Sequence, residues 1–533
     1  MTPRLTRSAG VIGLATLTSR VLGLGRDVLI GLFFGTGHAA DAFGVATRVP
    51  TLLRDLFAEG AMSAAFVPTF ARSLTRDGKE AAWRLGSQVI NALALVTGAL
   101  VVLGIVFAAP LASTLAGDYA AVPGKLETTI RLTQVNMPFL LLIAIAAAFM
   151  GMLNALRRFV VPAMSPAMYN VVFIACTAAG VPLFARLGLD RVMALSVGML
   201  AGGVAQIAVQ WPTLRREGYR HSWILNPRDP ALHEVLVLMG PGTIGVAAAQ
   251  VNLFVNTVLA TNEPGAGAVA ALQYAFRLMY LPIGIFGVSV ATAAIPELAR
   301  HAAKGEHDDM RRTLSWGLRV MLMLSVPAAV GLMVLDEPIV ELIYQRGAFD
   351  ATSTALTAGA LFYYAPGIIG YSVVKIASPS FYSLMDARTP VLVSVATILA
   401  NIGLNLWLDR VMGFRGLALG TAIAANLNAV LLLYLLRGRI GGIDGARVLR
   451  SLIKITIASA AMGVVAYAAE AWLEAVLPAT LFGLGEVPRA IRVFGAIGAA
   501  LATLALSAWA LRLEEFGLAM AQINAKFKMK NAQ

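Results

Sequence analysis

Charge is scarce in this chain. Asp, Glu, Lys and Arg make up 13% of 533 residues, against about 25% in a typical soluble domain. With 58% hydrophobic residues, it has too little charge to cover a water-facing surface. That excludes an ordinary soluble enzyme and leaves a polytopic membrane protein. Cysteine is nearly absent: the single Cys176 sits in an apolar run, so no disulfide forms within the chain. No Gly-rich phosphate loop ending in Gly-Lys-Ser/Thr occurs, so ATP is not expected to drive the protein directly. The N-terminus has Arg4 and Arg7 before an apolar stretch. That stretch contains Arg20 and Arg26 and lacks a small-residue cleavage site, so it reads as a retained first helix and not a signal peptide.

What is abundant fits the same class. The 50 glycines and 23 prolines are spread through the apolar runs, as membrane helices tolerate. Breaks at charged or turn-rich segments predict about 14 transmembrane helices, near 8–34, 40–71, 83–116, 127–155, 161–185, 191–213, 234–260, 267–299, 313–335, 353–385, 390–409, 415–436, 451–473 and 489–512. With the N-terminus inside, the inside segments hold 25 of the 42 basic residues and the outside segments 7. This bias places both termini in the cytoplasm. It also explains the net charge of +13 without a nucleic acid partner.

Of the remaining basic residues, Lys454 and Arg492 lie near helix ends, where they can snorkel. Arg20, Arg26, Arg48, Arg54, Arg131, Arg277, Arg319 and Lys375 fall inside predicted spans. A charge at the bilayer centre costs about 2.5–3.5 kcal/mol, so such residues need partners or a water-filled cavity. On the first helix, Arg20 and Asp27 share a face and Arg26 lies about 100° from Asp27. On the second, Asp41, Arg48 and Asp55 recur every seven residues with Glu59 one turn further, predicting one continuous polar stripe beside Arg54. Pairing that merely joins helices is one reading of these charges. The other is a polar cavity, where convergent guanidinium forks would suit a diphosphate. Arg277 and Lys375 are the main such charges in the second half.

Several features recur at a spacing near 230. Val49-Pro50 and Leu281-Pro282 are 232 apart, as are Phe149/Asn154 and Phe381/Asp386; Val67–Arg72 and Ile295–Arg300 are 228 apart. Two six-helix halves in the same orientation, with a substrate site between them, are expected.

The segments Ser19–Asp27, Asp41-Ala42-Phe43, Leu52–Ala61 and Ala65–Pro68, with Gly240-Pro241, Arg277-Leu278-Met279, Ile285–Val288, Arg346–Phe349, Val373-Val374-Lys375 and Asp386–Pro390, together resemble the MurJ (MviN) lipid II flippase family. That family belongs to the multidrug/oligosaccharidyl-lipid/polysaccharide (MOP) exporter superfamily. The resemblance implies an all-α polytopic membrane protein with an N-lobe over 1–220, a C-lobe over 221–440, and two extra helices with a cytoplasmic tail over 441–533. The extra helices would form a groove for a lipid tail. It implies substrate contact by Arg20, Arg26, Arg54 and Arg277 and the acid Asp27, with Asp41 and Glu59 matching the family too. Arg48 stands where the family is usually basic, and Lys375 lies in a further matching segment.

Departures are Asp55, where many relatives have a second basic residue, and Phe276 and Tyr280, where many have acids around Arg277. Some relatives use sodium held by carboxylates on the seventh and eleventh helices. Here those helices offer Asn252, Asn256, Thr257, Asn401 and Asn405, which argues against a tight cation site. No cofactor is expected; membrane potential or an ion gradient would supply the drive.

The resemblance further implies a monomeric flippase of the bacterial cytoplasmic (inner) membrane, active in peptidoglycan biosynthesis. It would meet lipid II, membrane lipids and the cell-wall synthesis machinery. The competing readings are an exporter of another lipid-linked oligosaccharide, a non-transporting scaffold, and a membrane enzyme acting on polyprenyl diphosphates. A scaffold would not need buried arginines. The enzyme needs metal-binding acids or a His/carboxylate pair. The one close cluster, His301, Glu306, His307, Asp308 and Asp309, reads as a solvated loop.

Overall fold

The computed structural model describes residues 3–56, 65–263, 267–478 and 485–517, and among them every regular element is helical. In the first half these are α1 (Pro3–Phe34), α2 (His38–Ala46), α3 (Arg48–Arg54), α4 (Val67–Arg76), α5 (Gly78–Val106), α6 (Ala108–Ala116), α7 (Lys125–Asn136), α8 (Phe139–Ala155), α9 (Val160–Arg186) and α10 (Met193–Arg216). There follow α11 (Pro230–Ala260), α12 (Ala268–Pro282), α13 (Val288–Lys304), α14 (His307–Val334), α15 (Asp336–Tyr344), α16 (Ala351–Tyr364), α17 (Gly367–Ser383), α18 (Arg388–Met412), α19 (Phe414–Arg439), α20 (Gly445–Val476) and α21 (Glu486–Ala510).

Ten described helices or helix pairs are long and apolar enough to cross a membrane, or eleven if α16 and α17, bent by 46°, count as one span. The chain is therefore a multi-pass membrane protein. Several expected spans are broken, each near a proline. The second is interrupted at Thr47, just before Pro50; residues 57–64 lie outside the described residues. The fourth is broken at Met137 and Pro138, between α7 and α8. The eighth passes through a π-helical turn, Ile283–Gly287, directly after Pro282. A proline lacks the N–H that an uninterrupted ladder needs, and its ring crowds the preceding turn.

Helix bounds recur along the chain. α8 and α17 lie 228 residues apart at both ends, as do α6 and α15. Both α8 and α17 close with the same left-handed corner. The N–H of Arg158 bonds the Leu153 carbonyl at 2.8 Å, and that of Asp386 bonds the Phe381 carbonyl at 3.0 Å. The left-handed residues are Arg157 (φ 58°) and Met385 (φ 60°), positions where glycine is usual. Asp386 thus corresponds to Arg158 and not, as the 232 spacing had it, to Asn154. Each corner is tied to a later helix end, with the charges exchanged. Arg158 Nε donates to Glu217 at 2.7 Å, whereas Asp386 accepts from Arg439 at 3.1 Å. Hydrogen bonds from the hydroxyl and N–H of Thr389, aided by Arg439, hold the Asp386 carboxyl below the usual carboxylate range.

By contact the chain forms two compact units, Met1–Ala270 with Arg346–Asp350, and Ala271–Gln345 with Ala351–Gln533. This division falls near 270 and not at 220, because α11 packs on α4, α5 and α6. In the first unit an aromatic column of Phe66, Phe70, Trp83, Tyr219, Phe149 and Trp211 fills the core beneath α5, with neighbouring rings 5.3–6.4 Å apart. The connection from α10 to α11 is stitched to α5: Asn91 donates to the carbonyls of Ser222 and Ile224, and Gln88 donates to Asp229. Asp229 in turn caps α11 by accepting from the N–H groups of Ala231 and Leu232.

In the second unit α14 packs on α13, α17 and α20, and α17 packs on α19. At Gly370 the α17 and α19 backbones touch: a Cβ there would lie 2.4 Å from the Ala425 carbonyl carbon. We expect Gly370→Ala to lower stability by about 1–3 kcal/mol through overpacking, read as a lower melting temperature of the detergent-solubilised protein.

Candidate functional site

The intramembrane charges resolve into separate local arrangements. α1 packs along α9, with Asn170 donating to the Ser19 carbonyl at 3.3 Å. This contact sets Arg26 against the rings of α9. Its guanidinium carbon lies 6.0 Å from the Tyr169 centroid and 5.5 Å from that of Phe173, within cation–π range. Arg26 also donates through Nε and Nη2 to Asp27 Oδ1, at 3.1 and 2.9 Å. The 100° between their Cα positions does not separate them, because the arginine side chain reaches back across its own helix. Arg20, one turn and a half earlier, is half-buried and engaged in its own contacts.

A second adjacent pair closes α3. Arg54 Nε donates to Asp55 Oδ1 at 2.7 Å, and Nη2 lies 2.6 Å from the same oxygen. The other Asp55 oxygen accepts from Gln250 of α11 at 3.1 Å. The residue that departs from many relatives is thus the direct partner of Arg54. Gln250 was not anticipated; a polar side chain in a long apolar run was the signal available. In both pairs the arginine side chain keeps some accessible surface, 21% for Arg26 and 32% for Arg54.

Asp41 stands apart and corrects the expected stripe. The helix is broken at Thr47, between α2 and α3. Asp41 is 1% exposed, and its carboxylate accepts from Lys125 Nζ at 2.8 Å and from the Ala270 N–H at 2.9 Å. Lys125 Nζ also lies 3.8 Å from the Tyr119 ring centroid. The residue expected in an outside loop is instead the buried first residue of α7, so Asp41 has a joining role within the first unit. Arg48 borders a small cleft with Val49, Leu52, Leu115, Leu253 and Phe254. Glu59 lies outside the described residues.

In the second unit, Arg277 of α12 is half-buried and takes part in contacts of its own. Its neighbours Phe276 and Tyr280 stack at 5.8 Å, and Phe276 meets Tyr364 edge-on at 5.6 Å. Lys375 is exposed on α17. Two further arginines prove structural. Arg319 donates to Glu514 and Glu515, at 2.9 and 2.5 Å. Arg492, expected to snorkel, instead pairs with Glu470 at 2.7 Å and Glu474 at 3.2 Å, with Glu341 at 3.5 Å. These ion pairs fasten the α20–α21 hairpin to the rest of its unit at both ends.

On the eleventh expected helix Asn401 and Asn405 bond each other at 3.4 Å. His301, Glu306 and Asp309 approach one another within metal-ligand reach, but His301 Nδ1 already bonds Glu306 at 2.8 Å, with Lys304 beside it. That hydrogen bond, helped by Lys304 and Arg300, holds the Glu306 carboxyl below its usual range.

Residues 30–484 match the family described as "Lipid II flippase MurJ". A probable lipid II flippase MurJ of Rhizobium meliloti is 34% identical over 477 residues, covering 88% of this chain and 87% of its own length. The lipid II flippase MurJ of Burkholderia cenocepacia is 35% identical over 432 residues, covering 80% and 82%. The solved structure of a lipid II flippase MurJ in an inward closed conformation superposes with a TM-score of 0.76 at 25% identity, over 94% of this chain and 99% of that one. An inward-facing multidrug transporter of the MATE family in the MOP superfamily gives 0.65 at 14% identity, a likeness of fold alone.

For the buried pair, losing one partner should cost about 3–5 kcal/mol. We expect Lys125→Met alone to lower the melting temperature strongly. The double variant Asp41→Asn/Lys125→Met should lose clearly less than the two single changes added together.

Proposed function

Because this chain belongs to the lipid II flippase MurJ family, we propose that it carries lipid II from the inner to the outer leaflet of the bacterial cytoplasmic membrane by alternating access. Lipid II is the peptidoglycan precursor linked to a polyprenyl diphosphate. The observation that carries this reading is the pair of part-exposed arginines in the apolar first half. Arg26 and Arg54 are each steadied by a neighbouring aspartate, yet each side chain keeps part of its surface accessible. A guanidinium held this way is pre-oriented and retains donors for a second anion.

In this proposal Arg20, Arg26, Arg54 and Arg277 capture the diphosphate from the cytoplasmic side while the polyprenyl tail stays in lipid. The N-lobe and C-lobe then rock about the bound headgroup and release it outside. The π-helical turn after Pro282 and the break at Thr47 are the natural places for bending. Asp27 and Asp55 orient the arginines, and Lys375 and Arg48 extend the basic lining. Asp41 serves to hold α2 on α7. The chain acts as a monomeric transporter and not as a catalyst, with both termini cytoplasmic, no cofactor, and its drive taken from membrane potential or an ion gradient. The hairpin α20–α21 offers the groove for the lipid tail, and the cell-wall synthesis machinery receives the product.

Arg20→Ala, Arg26→Ala, Arg54→Ala and Arg277→Ala should each abolish support of peptidoglycan synthesis in a strain that depends on this protein, while the variant still inserts in the membrane. Normal growth on a well-expressed variant would remove that arginine from the site. Depleting the protein should leave lipid II accumulated and protected from an externally added lipid II-cleaving toxin. Undiminished cleavage would overturn the flippase reading.

A further inference from the structure

The left-handed corner between α8 and α9 borders a cavity of about 500 Å³, lined by Arg157, Arg158, Phe159, Val160, Val161, Thr213, Arg216 and Glu217. Three of these are arginines and one is an acid. The acid is taken: Glu217 accepts from Arg158 at 2.7 Å. Arg157 and Arg216 are exposed and have no ion-pair partner among the described residues. The cavity sits where the span Lys125–Ala155 ends, the span Val160–Arg186 begins and the span Met193–Arg216 ends. Three span ends meet at the boundary between hydrocarbon and water, the depth of lipid phosphates.

The lining has two characters. Arg157 and Arg216 supply guanidinium forks and Thr213 a hydroxyl. Phe159, Val160 and Val161 supply an apolar wall, and Val160 is 44% exposed. A soluble anion has no use for that wall, whereas a glycerophospholipid does. The repeat provides an internal contrast. At the equivalent corner Met385 and Asp386 replace Arg157 and Arg158, and the Asp386 carboxylate is engaged by Thr389 and Arg439.

We propose that the corner at Arg157 is a binding site for the phosphate headgroup of an anionic glycerophospholipid of the cytoplasmic leaflet. Arg157 and Arg216 clamp the phosphate, Glu217 holds Arg158 at the rim, and Phe159 to Val161 receive the glycerol and upper acyl chain. Basic pockets between membrane helices bind anionic headgroups in this manner. The site is separate from the transported cargo and stands whether or not lipid II is that cargo.

The test uses the full chain purified in detergent without lipid II, titrated with phosphatidylglycerol or phosphatidylcholine and read by native mass spectrometry. Phosphatidylglycerol should be retained in preference to phosphatidylcholine. Arg157→Gln/Arg216→Gln should weaken its binding about thirtyfold, the loss expected for two surface arginines. The distant control Arg312→Gln should stay close to the parent. Equal retention of the two lipids overturns the proposal and needs no variant. So does unchanged phosphatidylglycerol binding in the glutamine variant. Displacement of the lipid by an equal concentration of inorganic phosphate would mark a site for free anions and overturn it too.

Discussion

A guanidinium in an apolar helix bundle has to bring its counter-charge with it. Leaving one unrelieved at the bilayer centre costs about 2.5–3.5 kcal/mol, a large share of what holds a domain together. Much of this structure follows from how that cost is met. Arg26 and Arg54 draw on the next residue in sequence, Arg319 and Arg492 on acids of the α20–α21 hairpin, and Lys125 on Asp41. The first two leave part of the arginine side chain accessible, Arg492 rather less, and Lys125 almost nothing.

The recurrence of helix bounds at 228 residues shows the same scaffold used with different chemistry. The corner after α8 and the corner after α17 have the same backbone and the same kind of tie to a later helix end, with acid and base exchanged. Exchanging them preserves the tie and inverts the local field. A duplicated framework can in this way hold its geometry while one copy gathers positive charge and the other does not.

The family, the helical class and most spans were legible from low charge, long apolar runs and the motifs around Arg26, Arg54 and Arg277. The partners of those charges were less so. Helical-wheel spacing compares Cα directions, and it missed that Arg26 bends back onto Asp27. The seven-residue recurrence of Asp41, Arg48 and Asp55 assumed one unbroken helix, and the break at Thr47 voids it. Lys125 falls just before the expected span 127–155 and so read as an outside-loop residue. Gly124 does turn the chain, at φ 75°, but it starts α7 and so sends Lys125 inward. Pairings such as Arg54–Asp55–Gln250 span 195 residues, and no local pattern carries such a distance.

The adjacency of Arg26 to Asp27 and of Arg54 to Asp55 has an electrical consequence. Each couple rides on a single stretch of helix, so movement of that stretch displaces a dipole and transfers no net charge. A membrane potential does about 2.3 kcal/mol of work per elementary charge per 100 mV, and on a neutral couple it has almost nothing to pull.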